Sequence, residues 1–451
     1  MRPPSALPAT PPVFPLFRLA RALVNPQPAP QRQLRCASSG AALAEAVPAS
    51  DAAAATSSPN PQRLPASWSG LHAWRAADAD IRTVWGAKGP VPATAAAASE
   101  LGSGAAAVVE AERLADTAPL PASLAECARA VLLVADPLGK AALTHRAWRA
   151  WCDGQLPLGT AEALHGPPAR PANPELVPPR RIPSMDKSPL PKAAYMLHNL
   201  AHVELNAIDL AWDTVLRFSA CGLPDAFYAD FARVADDESR HLSWCLQRLQ
   251  ELGFEYGCMP AHNLLWEGAE ASCGDLGARL AIVPMSQEAR GLDAGDRLAK
   301  RLVGLGDNRT AAIVRRIALE ERAHVAVGVT WFSAICKALG ITPGPAFRRL
   351  LLDYCPGLLK GPFNDSERAL VGLQPELYDV RLWPAAEAEA AAAAVAAAAV
   401  EEREGRPHAA AVGSGGGGGA MLPLADERQM RQLAARLGAM LDLEATNAGL
   451  A

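Results

Sequence analysis

No run of 18 or more apolar residues occurs in this 451-residue sequence, which argues against a membrane-spanning helix. The longest candidate, the nearly pure alanine stretch from Ala390 to Val400, is too short. An excess of one charge is also missing. With 43 Lys and Arg against 47 Asp and Glu, the net charge is −4, and there is no basic footprint for nucleic acid or an acidic membrane surface. The nine cysteines include no CxxC and no zinc-like pairing. They read as small reduced core residues rather than a disulfide framework.

One local absence is informative. Met1 to Ala44 contains no acid, yet carries Arg2, Arg18, Arg21, Arg32 and Arg35 among many Pro, Ala and Ser. Such a start resembles an organelle transit peptide, and "RQLRCASSGA" (Arg32 to Ala41) resembles a chloroplast processing site, with a mitochondrial one as the alternative. Residues 1–64 are therefore expected to be a disordered address.

Further along, residues 65–165 carry a weak helical pattern, with a break at Asp136-Pro137. Residues 166–191 ("GPPARPANPELVPPRRIPSMDKSPLP") are too rich in Pro for helix and read as an extended strap. Residues 192–380 are strongly patterned. Residues 381–420 form an Ala/Gly low-complexity linker, and 421–451 an amphipathic helix with Met430, Leu433, Leu437 and Met440/Leu441 on one side.

Within 192–380, turn signals at 221–224, 253–260 and 304–307 divide the pattern into four helices. Each places a carboxylate in the middle of its apolar stripe. Glu204 lies among Leu197, Leu200, Ala201, Ile208 and Ala211, and Glu238 among Phe231, Val234, Ala235, Leu242 and Cys245. Glu288 follows Leu280, Ala281 and Met285, and Glu321 lies among Val314, Ile317, Ala318, Val325 and Gly328. Two helices add a histidine one turn on, in "ESRH" (Glu238 to His241) and "EERAH" (Glu320 to His324), and the two histidines are 83 residues apart (324 − 241). Single Glu and Glu-x-x-His thus recur in the same order, as if a helical hairpin had been duplicated.

A lone buried carboxylate costs several kcal/mol unless neutralised or paired, and no stripe supplies a Lys or Arg at core spacing. Two divalent metal ions would balance four carboxylates, with two neutral imidazoles completing the set. This is the donor arithmetic of a carboxylate-bridged dimetal site in a four-helix bundle. The expected ligands are Glu204, Glu238, His241, Glu288, Glu321 and His324. The pairs would each hold one metal, and the single Glu residues would cap or bridge.

The stretches "MLHNLAHVELNAIDLAWD", "FYADFARVADDESRHL", "VPMSQEARGLD", "EERAHVAVGVTWF" and "GPFNDSERALVGL" together resemble a ferritin-like family, domain of unknown function 455, over roughly Pro121 to Tyr378. The resemblance implies an all-α, ferritin-like four-helix bundle with additional N-terminal helices, and a di-iron site on the same six residues, with manganese as the alternative metal. It implies no reaction. The function expected is a di-iron carboxylate oxidoreductase that uses O₂ on a small organic substrate and draws on an electron donor. Alternatives are an iron-binding ferroxidase and a helical protein with a structural metal.

Other residues are expected to stand off the ligand face. His202 and His198 point elsewhere on their helix. Glu320 is a rival ligand, but Arg316 four residues before it suggests a solvated face. Asp237 is a candidate hydrogen-bond partner for a ligating imidazole. Pro284 should kink its helix beside the site. Tyr195, Tyr228, Tyr256, Trp212, Trp244 and Trp331 read as packing residues. Ala201, Ala207, Ala211, Gly291 and Gly328 are expected to leave room for substrate, roofed by the strap.

Overall fold

The computed structural model of the chain describes residues 68–404. The stretch 1–64, read as an address, and the helix expected at 421–451 therefore lie outside the described residues. What is described is mostly helical, with one two-residue antiparallel strand pair, β1 (Val84–Trp85) and β2 (Pro90–Val91).

The N-terminal part contains α1 (Leu71–Ala76), α2 (Ala95–Leu101), α3 (Ser103–Thr117), α4 (Leu124–Leu132) and α5 (Pro137–Cys152). Local chemistry sets the starts of α4 and α5. The Ser123 hydroxyl caps α4 by accepting the Glu126 N–H, and it also donates to the Glu126 carboxylate. Asp136 caps α5 by accepting the Gly139 N–H, with Pro137 at the first helical position. The break expected at Asp136-Pro137 is thus a helix start. Residues 166–191 contain no α-helix, only the 3-10 turn Pro179–Arg181 and a single bridge from Leu176 to Ala261.

The patterned region folds as two long-helix hairpins. α6 (Lys192–Phe218) packs along α7 (Asp225–Glu251), and α11 (Asn308–Leu339) packs along a rod built from α9 (Leu276–Ile282), a π-helical turn (Val283–Glu288) and α10 (Ala289–Gly304). A short α8 (Leu264–Ala271) precedes the rod. The hairpins meet through α7 and α11, while α4 covers α6 and α5 covers α7. One contiguous apolar core runs from Trp85 to Ala391. Beyond the bundle come α12 (Pro343–Tyr354), α13 (Asp365–Leu370), α14 (Pro375–Tyr378) and α15 (Ala385–Glu404). The alanine-rich start of the stretch read as a linker is thus helix, in keeping with the high helix propensity of alanine. It packs on the 3-10 turn Pro356–Leu359.

The kink expected at Pro284 is a π-helical turn. Proline has no N–H to offer the carbonyl four residues back and its ring collides with it, so the ladder must widen. Ser286 satisfies part of the freed backbone by donating its hydroxyl to the Ala281 carbonyl at 2.7 Å. The turn ends on Glu288, so a helix defect sits at a candidate ligand.

Small residues bring the second hairpin together. A Cβ at Gly295 would lie 2.5 Å from Ala318, and one at Gly291 would lie 3.2 Å from Glu321. A Cβ at Gly328 would meet the Pro284 ring at 2.6 Å. These two glycines were expected to leave substrate room. Instead their space is taken by Glu321 and Pro284. Gly328→Ala should therefore destabilise the protein by roughly 1–3 kcal/mol of overpacking, only partly offset by the ~1 kcal/mol that alanine gains over glycine in a helix. Thermal melts check this, and a rise in Tm would contradict it.

Candidate metal centre

All six expected ligands converge. Four of them, Glu204, Glu238, His241 and Glu321, bring ligand atoms within 4.8 Å of one another, and so do Glu238, Glu288, Glu321 and His324. Glu238 and Glu321 belong to both sets. His241 Nδ1 lies 3.2 Å from Glu238 Oε2, 3.3 Å from Glu204 Oε2 and 3.5 Å from Glu321 Oε1. His324 Nδ1 lies 2.7 Å from Glu238 Oε1 and 3.4 Å from Glu321 Oε2. Each shared carboxylate therefore turns one oxygen to each imidazole. Glu204 and Glu288 each belong to one of the two groups, whereas the Glu of each Glu-x-x-His pair belongs to both.

The centre is sealed on most sides. Glu238, His241 and His324 are 0% exposed, while Glu204 and Glu321 are nearly so. Glu288, at the end of the π turn, is half-buried and the most accessible of the six. Glu204 Oε2, Glu238 Oε1, Glu321 Oε2 and His324 Nδ1 are buried and make no well-aligned hydrogen bond, although His324 Nδ1 and Glu238 Oε1 face each other at 2.7 Å. Four such atoms in one place are a costly arrangement for a packed core, and they fit the donor set of a divalent cation.

The electrostatics express the same conflict. Burial, then the charge of Glu238, pushes the Glu204 carboxyl well above its usual range. Burial pushes Glu288 up likewise, followed by the charges of Glu238 and Glu321. Burial alone would also raise Glu238, but His324 and His241 outweigh it and hold that carboxylate below its usual range. Both imidazoles are raised well above theirs. Burial opposes this, but the facing Glu204 and Glu238 carboxylates prevail at His241, and the charges of Glu238 and Glu321 at His324. Without metal, protons do the neutralising.

Behind the histidines lies a layer that the sequence reading only partly found. His241 Nε2 lies 2.9 Å from Glu320 Oε2, and His324 Nε2 lies 3.2 Å from Asp237 Oδ2. Each imidazole is thus held by a carboxylate from the opposite hairpin, which fixes the ring with Nδ1 inward. Glu320 does pair with Arg316, as its spacing suggested, but it faces His241 rather than solvent. Asp237 serves His324 rather than the histidine on its own helix. A signal was available: Asp237 and Glu320 are also 83 apart (320 − 237) and each precedes a shared Glu. Buried Arg240 joins the layer, donating to Asp236 and Asp237 at 2.6 Å each and lying 3.6 Å from Glu320.

The remaining residues stand apart from the ligands. His198 accepts the Gly257 N–H, and His202 bonds the Tyr256 hydroxyl and the His262 carbonyl. Tyr195 and Tyr228 donate to the carbonyls of Pro183 and Phe218. Trp212, Trp244 and Trp331 are fully buried. Ala201, Ala207 and Ala211 are packed in the interior. The strap lies against α6 through Arg170, which reaches Asp209, Asn206 and the Leu205 carbonyl. It encloses a cavity of about 330 Å³ lined by Arg170, Pro171, Pro174, Glu175, His202 and Tyr256 among others. None of the six candidate ligands lines that cavity, so the roof expected over the site covers another face of α6.

Fold and site together define a helical protein whose buried Glu/His groups can hold a metal ion. The chain belongs to the DUF455 family, described as "Protein of unknown function (DUF455)", whose model matches residues 133–379 and so includes all six converging residues. An uncharacterized protein of Haemophilus influenzae is 36% identical over 209 residues, 45% of this chain and 73% of that protein. No solved structure matches. No single helix among the described residues is long and apolar enough to cross a membrane.

Proposed function

We propose that this chain is a ferritin-like dimetal carboxylate oxidoreductase, binding two iron ions and using O₂ to oxidise or hydroxylate a small organic substrate in a plastid. The carrying observation is the pair of four-residue donor sets that share Glu238 and Glu321. A lone structural ion would need one set and no shared carboxylates.

Iron bound there would supply one-electron redox chemistry and activation of O₂. The protein's part is to orient and to exclude water. His241 and His324 present Nδ1 to the centre because Glu320 and Asp237 hold the other ring nitrogen. The sealed flank at Glu204 keeps solvent out, and the access at Glu288 marks the side from which O₂ and substrate would approach. Hydroxylation would draw electrons from a separate reductant.

The test is oxygen uptake by anaerobically reduced, iron-loaded protein. The expected result is limited, near-stoichiometric O₂ consumption without substrate and no build-up of an iron core. Sustained uptake of many iron atoms per chain would overturn this reading in favour of iron storage.

A further inference from the structure

We infer that the segment ahead of the family-matched residues, 68–91, makes the two metal positions unequal by placing Trp74 as a positioning residue behind His324. The inference rests on the dimetal reading above. It begins from the duplication: the two hairpins supply equivalent ligands and equivalent outer carboxylates, and nothing in that pattern distinguishes one position from the other.

The N-terminal segment does. Trp74, on α1, donates its indole N–H to Asp237 Oδ2 at 2.9 Å, the same oxygen that faces His324 Nε2 at 3.2 Å. Glu320, the counterpart behind His241, is bonded instead by His241 and Arg316, both from the bundle. The indole is firmly seated. The Arg233 guanidinium stacks 4.7 Å from its ring centroid and also donates to the Ala77 carbonyl at 2.8 Å. Arg75 forms a two-point pair with Asp230. The Trp85 backbone N–H donates to the Gln247 side-chain Oε1 of α7, and its carbonyl accepts from Gln247 Nε2 and from Arg309 of α11. The segment therefore clamps both helices that carry histidine ligands. All of it precedes residue 133, where the family match begins.

The position so tuned is the more accessible one, since His324 shares its set with Glu288. Asp237 orients the imidazole, and the indole fixes one of the two oxygens of Asp237. Outer partners of a ligating histidine typically change metal affinity by about 10- to 100-fold when removed. Losing the indole N–H should act on the Glu288/His324 position and spare the other.

The experiment loads the full chain with ferrous iron without oxygen and follows release to a chromogenic chelator. Wild type should hold two ions and release them in two phases, one of which Glu288→Gln removes. Trp74→Phe should still hold two ions and release that same phase about tenfold faster. Asp237→Asn should accelerate the same phase, and adding Trp74→Phe to it should change little, because both act through one hydrogen-bonded unit. If Trp74→Phe fails to fold, Asp237→Asn alone still tests which phase responds. A single release phase in wild type, equal acceleration of both phases, no change in Trp74→Phe, or additive effects would each overturn the inference and leave the dimetal reading standing. Failure of wild type to bind two ions would instead overturn that reading.

Discussion

Glu238→Ala and Glu321→Ala are each expected to abolish binding of both metal ions, whereas Glu204→Gln and Glu288→Gln should each leave about one ion per chain, by the donor count of a shared-carboxylate pair. The difference follows from membership. Glu238 and Glu321 contribute to both donor sets, and Glu204 and Glu288 to one each. Truncating a shared carboxylate also leaves His241 and His324 without the charges that stabilise them. Glu320→Gln should behave differently from all four, since it holds His241 from behind. It should retain both ions and weaken one by about 10- to 100-fold. Metal analysis after dialysis and ferrous-iron titrations measure these outcomes. Two tightly held ions in Glu238→Ala would refute the site.

The metal-free protein should be most stable in mild acid and lose stability toward alkaline pH, with metal largely removing that loss. The sign follows from four groups raised in the folded protein. Glu204 and Glu288, raised from 4.5, contribute stability that is complete below 4.5 and is lost as pH climbs through their folded values. His241 and His324, raised from 6.5, contribute stability that is complete below 6.5 and is lost above it in the same way. Glu238 and Glu320 are held below 4.5 and Asp237 below 3.8, so their contribution fades only as pH falls through the folded values. The metal-free optimum should therefore lie near 4.5, where Glu204, Glu288 and the raised histidines keep their protons and the depressed carboxylates are still ionised, with the decline steepening above 6.5 as the histidines join it. Two divalent ions would take the place of protons on Glu204, Glu288, His241 and His324, so binding in mild acid should release up to about four protons. Melting temperature against pH, with and without chelator, and proton release in weak buffer both check this. A melting curve indifferent to chelation at pH 8 would show that metal does not neutralise the centre.

The helices and the ligand candidates were legible in the sequence because both depend on local periodicity. A Glu in an apolar stripe, with His three residues on, shares a helix face with it whatever the fold around it. Turn residues such as Gly222 and Pro224, and the cap at Asp136, mark the element ends by chemistry within a few residues. Pro284 could be read as a disruption because its missing N–H is a local fact. Its resolution as a π turn depends on Ser286 and on α11 packing against it.

Features that depend on a distant partner leave no such local signature. Arg316 beside Glu320 suggested solvent, because i, i+4 ion pairs occupy exposed faces more often than buried ones. Only the packing of α7 against α11 brings His241 onto Glu320 and turns that carboxylate inward. Gly291 and Gly328 suggested empty space, but a small residue also lets neighbouring groups approach, and here Glu321 and Pro284 do so. The strap's composition indicated that it would be extended, but not which face of α6 it would cover.

By itself, the sequence determined the helical character, the two repeated hairpins and the six residues that converge, since each follows from spacing along a single helix or from the 83-residue echo between them. The tertiary structure alone decided which carboxylates are shared, which ligand meets solvent, and which outer group holds each histidine. Those contacts join Asp237 to His324, Glu320 to His241 and Trp74 to Asp237, across 87, 79 and 163 residues. Periodicity fixes direction around one helix axis. Distance between axes is set by side-chain packing across the interface, which no single segment of the chain contains.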